Sequence, residues 1–152
     1  MAQDRALGLR DVFVSSRPDG QALVVGGVSA ATIGTPEKEW SRMLSKRAAH
    51  LLWFRLTMLL FPEKAGMVTA MVPTAPLDAT VLNPTVTTHV KVESLENNRY
   101  LVDGIMGKVH WDIVLDNLET RRLWTALDLA LYPDGWEATP PPSIKRRRQT
   151  YQ

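Results

Sequence analysis

The stretch from Thr35 to Phe61, TPEKEWSRMLSKRAAHLLWFRLTMLLF, is the longest uninterrupted helical signal in the chain, and it limits what the remainder can form. Thr35 is suited to cap exposed backbone N–H groups, and Pro36 stands where a first helical turn needs no N–H. Glu37 and Glu39 complement the positive end of the helix dipole. Pro62 supplies the stop, because it cannot continue the hydrogen-bond ladder. The two halves differ. Trp40, Met43 and Leu44 face Arg42 and Lys46 across an amphipathic first half, whereas Ala48 to Phe61 is apolar almost all round. A helix apolar on every side must be covered on more than one side. A membrane span is excluded for this stretch: its apolar half is too short against the roughly 20 residues required, and it carries His50 and Arg55.

At 152 residues the chain is expected to form one domain with its own core, placed at 1–137. There are no cysteines, which excludes a disulfide framework, thiol catalysis and cysteine-ligated zinc and favours a cytoplasmic location. The first eleven residues, MAQDRALGLRD, show no signal-peptide pattern. Lys145, Arg146, Arg147 and Arg148 carry four positive charges, so the net +2 becomes −2 for the remainder. The basic character is therefore confined to 138–152, a proline-rich linker and tail expected to be disordered.

Before the helix, Asp11–Ser16 and Gln21–Gly27 are apolar, β-branched runs on either side of Arg17-Pro18-Asp19-Gly20, the chemistry of a hairpin turn. Gly26, Gly27 and Gly34 match no phosphate-loop spacing. After Pro62, MVTAMV at 67–72 reads as a strand, and PTAPLDATVLNPT at 73–85 as an edge segment or a long loop. Val86–Ser94, Arg99–Asp103 and Lys108–Leu115 follow as an antiparallel meander with one wet face. Asp116 opens a second helix with Glu119 at capping-box spacing. Leu123, Trp124, Leu127, Ala130 and Leu131 form its buried stripe, with Glu119, Arg122, Thr125 and Asp128 facing water. No internal repeat is read. The expected fold is α+β: an antiparallel sheet, made of the hairpin and the meander, packed on the long central helix and the C-terminal helix.

The candidate chemical cluster lies on the wet face of the meander. His89, Lys91 and Glu93 project together from one strand, and His110 and Asp112 from another, so the sheet can assemble an acid–base or ligand group. No nucleophile elbow, zinc spacing or nucleotide fingerprint accompanies it, so no cofactor, metal site or catalytic residue is assigned. Trp40, Trp111 and Trp124 fall on buried stripes. Trp53, Phe54 and Trp136 have no assignable internal partner and are the expected interface anchors of a homodimer. The tail residues Lys145, Arg146, Arg147 and Arg148 suit an acidic protein or nucleic-acid phosphate. These observations favour a non-enzymatic interaction or assembly protein with no membrane partner. Two alternatives remain: a ligand-binding or enzymatic domain with a pocket between the long helix and the sheet, lidded by 73–84, and an RNA- or DNA-associated accessory protein.

Overall fold

The stretch that reads as one helix is two elements. In the computed structural model, which describes residues 7–17, 22–31, 33–34, 36–69 and 85–135, Lys38–Ser45 is a strand and the helix begins only at Lys46. The strand pairs along its whole length with Ala22–Ser29, from Ala22 opposite Ser45 to Ser29 opposite Lys38. Trp40 and Leu44, four residues apart, satisfy both periods: they share one face of a helix and also one face of a strand. The full ladder to a neighbouring strand decides between them. The helix cap is then Ser45, not Thr35, and its hydroxyl accepts from the Ala48 N–H at 3.1 Å.

The elements are β1 (Leu7–Ser16), β2 (Ala22–Ser29), β3 (Lys38–Ser45), α1 (Lys46–Leu60), α2 (Ala65–Thr69), β4 (Val86–Ser94), β5 (Tyr100–Met106), β6 (Val109–Leu115) and α3 (Asn117–Leu131). The chain is thus α+β. The first hairpin and the meander form as expected, but the sheet is mixed and closes into a barrel in the order β1 to β6. Four neighbouring pairs are antiparallel. The two that join the halves, β3 with β4 and β6 with β1, are parallel and only two residue pairs long. The strand expected at 67–72 is a correction: its described part, through Thr69, belongs to α2. Residues 18–20, 73–84, Trp136 and the 138–152 tail lie outside the described residues.

This order repeats itself. Three antiparallel strands and a helix (β1-β2-β3-α1) are followed by three antiparallel strands and a helix (β4-β5-β6-α3), each trio entering the barrel through a parallel seam. The side chains repeat as well, at a constant offset of 71 residues: Trp40 with Trp111, Leu44 with Leu115, Leu52 with Leu123, Trp53 with Trp124, Leu56 with Leu127, Leu60 with Leu131 and Pro62 with Pro133. Ser45 and Asp116 are the two helix caps, Asp116 accepting from the Glu119 N–H at 2.8 Å. Phe61 and Tyr132 end the helices in nearly the same conformation, φ −136°, ψ 66° and φ −133°, ψ 67°. The reading that found no repeat is overturned. Seven identities scattered over two dozen aligned positions are too sparse to see until the topology aligns them.

The repeat builds the core. Each helix packs chiefly on the first strand of the other half, α1 on β4 and α3 on β1, and the helices also meet each other. Leu52, Trp53, Leu56, Leu123 and Leu127 are at most 1% exposed. The Trp40 and Trp111 rings meet edge-on inside the barrel at 5.2 Å between centroids, a favoured aromatic arrangement. Gly104 makes room for this layer. A Cβ there would stand 2.2 Å from the Trp111 ring, so the strand runs straight through a residue that reads as a turn.

Candidate functional site

Where β5 and β6 pair, alternation places every second residue on the outer face, and the register sets which ones meet. Asp103 lies opposite Asp112, and Ile105 opposite His110. On the other side of β5, Lys91 of β4 pairs with Asp103 and His89 with Ile105. Two rows therefore cross the meander: His89, Ile105, His110 and Lys91, Asp103, Asp112. The expected projection of His110 and Asp112 to one face is observed. Joining them is Asp103, which strand reading had left at the end of its run. His89 and His110 are kept apart by Ile105, and Glu93 faces Leu101 one row further on.

Within this face, His110 Nε2 lies 3.2 Å from Asp103 Oδ1, and one ligand atom from each of Asp103, His110 and Asp112 falls within 4.8 Å of the others. Two acidic side chains thus stand directly across an antiparallel pair with an imidazole beside them. The set is open to water, with the His110 side chain 59% exposed. It can share a proton or weakly meet a cation. β4 carries a bulge between Thr87 and His89 that shifts its alternation, so Thr87, Val90 and Val92 rather than Thr88 turn inward. The inward Thr87 hydroxyl accepts from the Trp111 indole N–H at 2.9 Å.

The helix layer holds a second set of polar groups, several of which bond to one another. Trp53 of α1 donates its indole N–H to Asp128 of α3 at 2.9 Å, and Trp124 of α3 donates to the Thr57 hydroxyl of α1 at 2.8 Å. Thr57 and Asp128 are themselves 71 residues apart, so the bonds are reciprocal. The Trp53 ring meets Tyr132 at 4.9 Å, and Phe61 meets Trp124 at 4.7 Å. His50 Nδ1 and the Tyr132 hydroxyl are hydrogen-bonded at 3.1 Å. Burial holds His50 below its ordinary pKa of 6.5, with Lys46 adding to the effect, and burial together with Asp128 pushes Tyr132 up to about 12. Both are therefore neutral near pH 7. Glu119 was expected to face water but is 5% exposed. It accepts from the Val12 N–H at 3.1 Å and from Arg122 at 3.0 Å, satisfying backbone at the β1 bulge.

Of the expected interface residues, Trp53 is 1% exposed and belongs to the core, so it has no surface to offer a partner. Its unassigned packing is resolved by Asp128 and Tyr132, residues that only the fold brings to it. Phe54 is half-buried. Trp136 and the cations Lys145, Arg146, Arg147 and Arg148 lie outside the described residues. Large apolar side chains do stand exposed on the helices: Met58 and Leu59 on α1, Met67 on α2, and Leu118 and Leu129 on α3. On α1, the helix beside which a ligand pocket was the alternative expectation, Leu52, Trp53 and Leu56 are buried in the core. No helix among the described residues is long and apolar enough to cross a membrane.

The chain matches no protein-family model, no curated protein and no solved structure.

Proposed function

We propose that this protein is a non-enzymatic interaction module that self-associates through its helical layer and reaches a charged partner with its basic tail. The observation that carries this reading is how the polar groups of the helix layer are used. His50, Asp128, Thr57, Glu119 and Tyr132 are each engaged in bonds that hold helix to helix or helix to strand. Groups so engaged hold a fold together and are poorly placed to turn over a substrate. The activity then belongs to the surface.

A second copy of the chain is the partner best suited to the helices. Met58 and Leu129 occupy equivalent positions in the two halves, and both are exposed. An isologous dimer sets one patch against its own copy across a two-fold axis, so exposed apolar side chains of this kind would cover one another there. Lys145, Arg146, Arg147 and Arg148 would add attraction for an acidic protein or nucleic acid without fixing a geometry.

Light scattering on the eluting protein at high micromolar concentration tests the dimer. A dimer that Met58→Glu combined with Leu129→Glu converts to a folded monomer supports the reading, and a monomeric parent protein overturns it. Capture experiments with and without residues 143–152, each with and without nuclease, test the tail. Tail-dependent capture that survives nuclease identifies a protein partner, loss with nuclease identifies nucleic acid, and capture indifferent to the tail removes its role.

A further inference from the structure

Arg42 occupies a position that the other half of the molecule gives to an aliphatic residue. It stands between Trp40 and Leu44 on β3 and opposite Val25 of β2, so strand alternation puts it in line with three buried side chains. Its counterpart 71 residues later is Ile113, which is fully buried. The fold therefore has no structural need of a charge here.

Nor is that charge balanced by a neighbour. Among the described residues Arg42 forms no ion pair. Its guanidinium lies 4.8 Å from the Trp40 ring centroid, and one terminal nitrogen donates to the Ser41 carbonyl at 2.7 Å. Its Nε is buried without a hydrogen-bond partner, a deficit shared only with Arg47 Nη1 among the buried side-chain nitrogens and oxygens described. Burial lowers its pKa from the usual arginine value, and no carboxylate raises it. An arginine that is partly desolvated and has no carboxylate partner among the described residues is costly to keep.

The same residue lines a cleft. At the parallel seam the described residues of β4 meet β3 through Val86 opposite Met43 and Thr87 opposite Leu44, next to Arg42. The opening, about 350 Å³, is bounded by Val24, Ser41, Arg42, Met43, Thr85 and Met106. Its walls are aliphatic and thioether groups with two hydroxyls and one cation. An anion with a short apolar body matches each of these: the carboxylate meets the guanidinium, and the chain meets Val24, Met43 and Met106.

We propose that the cleft at the β3–β4 seam is a binding site for an aliphatic carboxylate, with Arg42 as its counter-charge. The site is independent of the helical layer proposed for self-association. The ligand class is shared by a free short-chain acid and by the C-terminal carboxylate of an apolar peptide, and the experiment separates the two.

The test is a titration of the full chain, followed by amide and methyl resonances, with hexanoate, with hexylamine as the same chain bearing the opposite charge, and with a peptide ending in Val-Leu as carboxylate or amide. Saturable shifts with hexanoate at Val24, Ser41 to Met43, Thr85 and Met106, absent with hexylamine, support the site. Tighter binding of the peptide carboxylate than of hexanoate, lost on amidation, assigns the peptide source, and the reverse order assigns the free acid. Arg42→Met is expected to weaken hexanoate binding at least tenfold. Arg42→Ile, which copies the other half, is expected to keep the fold and raise Tm by a few degrees while abolishing binding. Absence of saturable shifts with any carboxylate overturns the proposal, as does unchanged affinity in Arg42→Met. A loss of Tm in Arg42→Ile would make Arg42 a structural residue and overturn it too.

Discussion

The first half of the molecule, β1 to α1, and the second, β4 to α3, place the same tryptophans, leucines and prolines at the same points, yet they spend their polar residues differently. In the second half the Trp111 indole finds the Thr87 hydroxyl, and Ile113 fills the barrel wall. In the first half the wall position holds Arg42, which lines the cleft beside the β3–β4 seam. Across the helices the exchange is also uneven: Trp53 donates to a carboxylate, Trp124 to a hydroxyl. A two-fold repeat is thus its own control. Where both halves agree, the residue serves the barrel, and where they differ, as at Thr57 and Asp128 or at Arg42 and Ile113, the local bonding shows whether each residue still does.

The comparison is broken most severely by exchanging the wall residues. Ile113→Arg places a charge at a fully buried site with no partner and is expected to cost roughly 4 kcal/mol or more, enough to leave the chain largely unfolded. Denaturant titration measures this directly. A tolerated Ile113→Arg would mean that the two positions are equally open and that Arg42 is unremarkable.

A smaller asymmetry is expected between the tryptophans. Trp53→Phe removes a bond to a charged acceptor, for which roughly 1.5–3 kcal/mol is typical, whereas Trp124→Phe removes a neutral one, closer to about 1 kcal/mol. Thr57 also donates to the Trp53 carbonyl at 2.7 Å, so its hydroxyl keeps one partner after Trp124→Phe. Equal losses in paired unfolding curves would show that the carboxylate contributes no more than the hydroxyl.

The smallest effect is one of pH. His50 has its folded pKa depressed below 6.5, so below that value the unfolded chain takes up a proton before the folded chain does. Stability is therefore unaffected by this group above pH 6.5, declines as pH falls through the window beneath it, and levels off once the folded form also protonates. Tm measured from pH 7.5 to 5 should show that decline, and His50→Gln should flatten it. A decline unchanged in His50→Gln would assign it to the carboxylates. The position equivalent to His50 is Arg121, which is exposed, so the second half should lack this response.

The meander, the first hairpin, the Asp116 cap and the position of α3 were legible because each rests on neighbours in sequence: a turn, a two-residue alternation, an Asp three residues before a Glu. Part of the candidate face was legible for the same reason, since His110 and Asp112 alternate on one strand. Asp103 was not, because its place between Lys91 and Asp112 is a matter of register, and register is decided by pairing between strands. The repeat was written in the chain as Trp-x-x-x-Thr and Trp-x-x-x-Asp, each running on to an aromatic-proline pair, but its meaning needed the two helices side by side.

The amino-acid order by itself determined a mixed helix and strand composition, the stops at Pro62 and Pro133, and the cap at Asp116, because local sterics and hydrogen bonds act within a few residues. What Thr35 to Phe61 becomes was decided elsewhere. Trp40 and Leu44 fit a strand and a helix equally well, and eight residues of pairing with β2 select the strand. The same closure turned Trp53 from a surface residue in want of a partner into the centre of the core, and set Arg42, on the strand that was expected to be helix, against a cleft. Tertiary structure settles these because burial and pairing join residues far apart in the chain, and local preference there is too weak to oppose them.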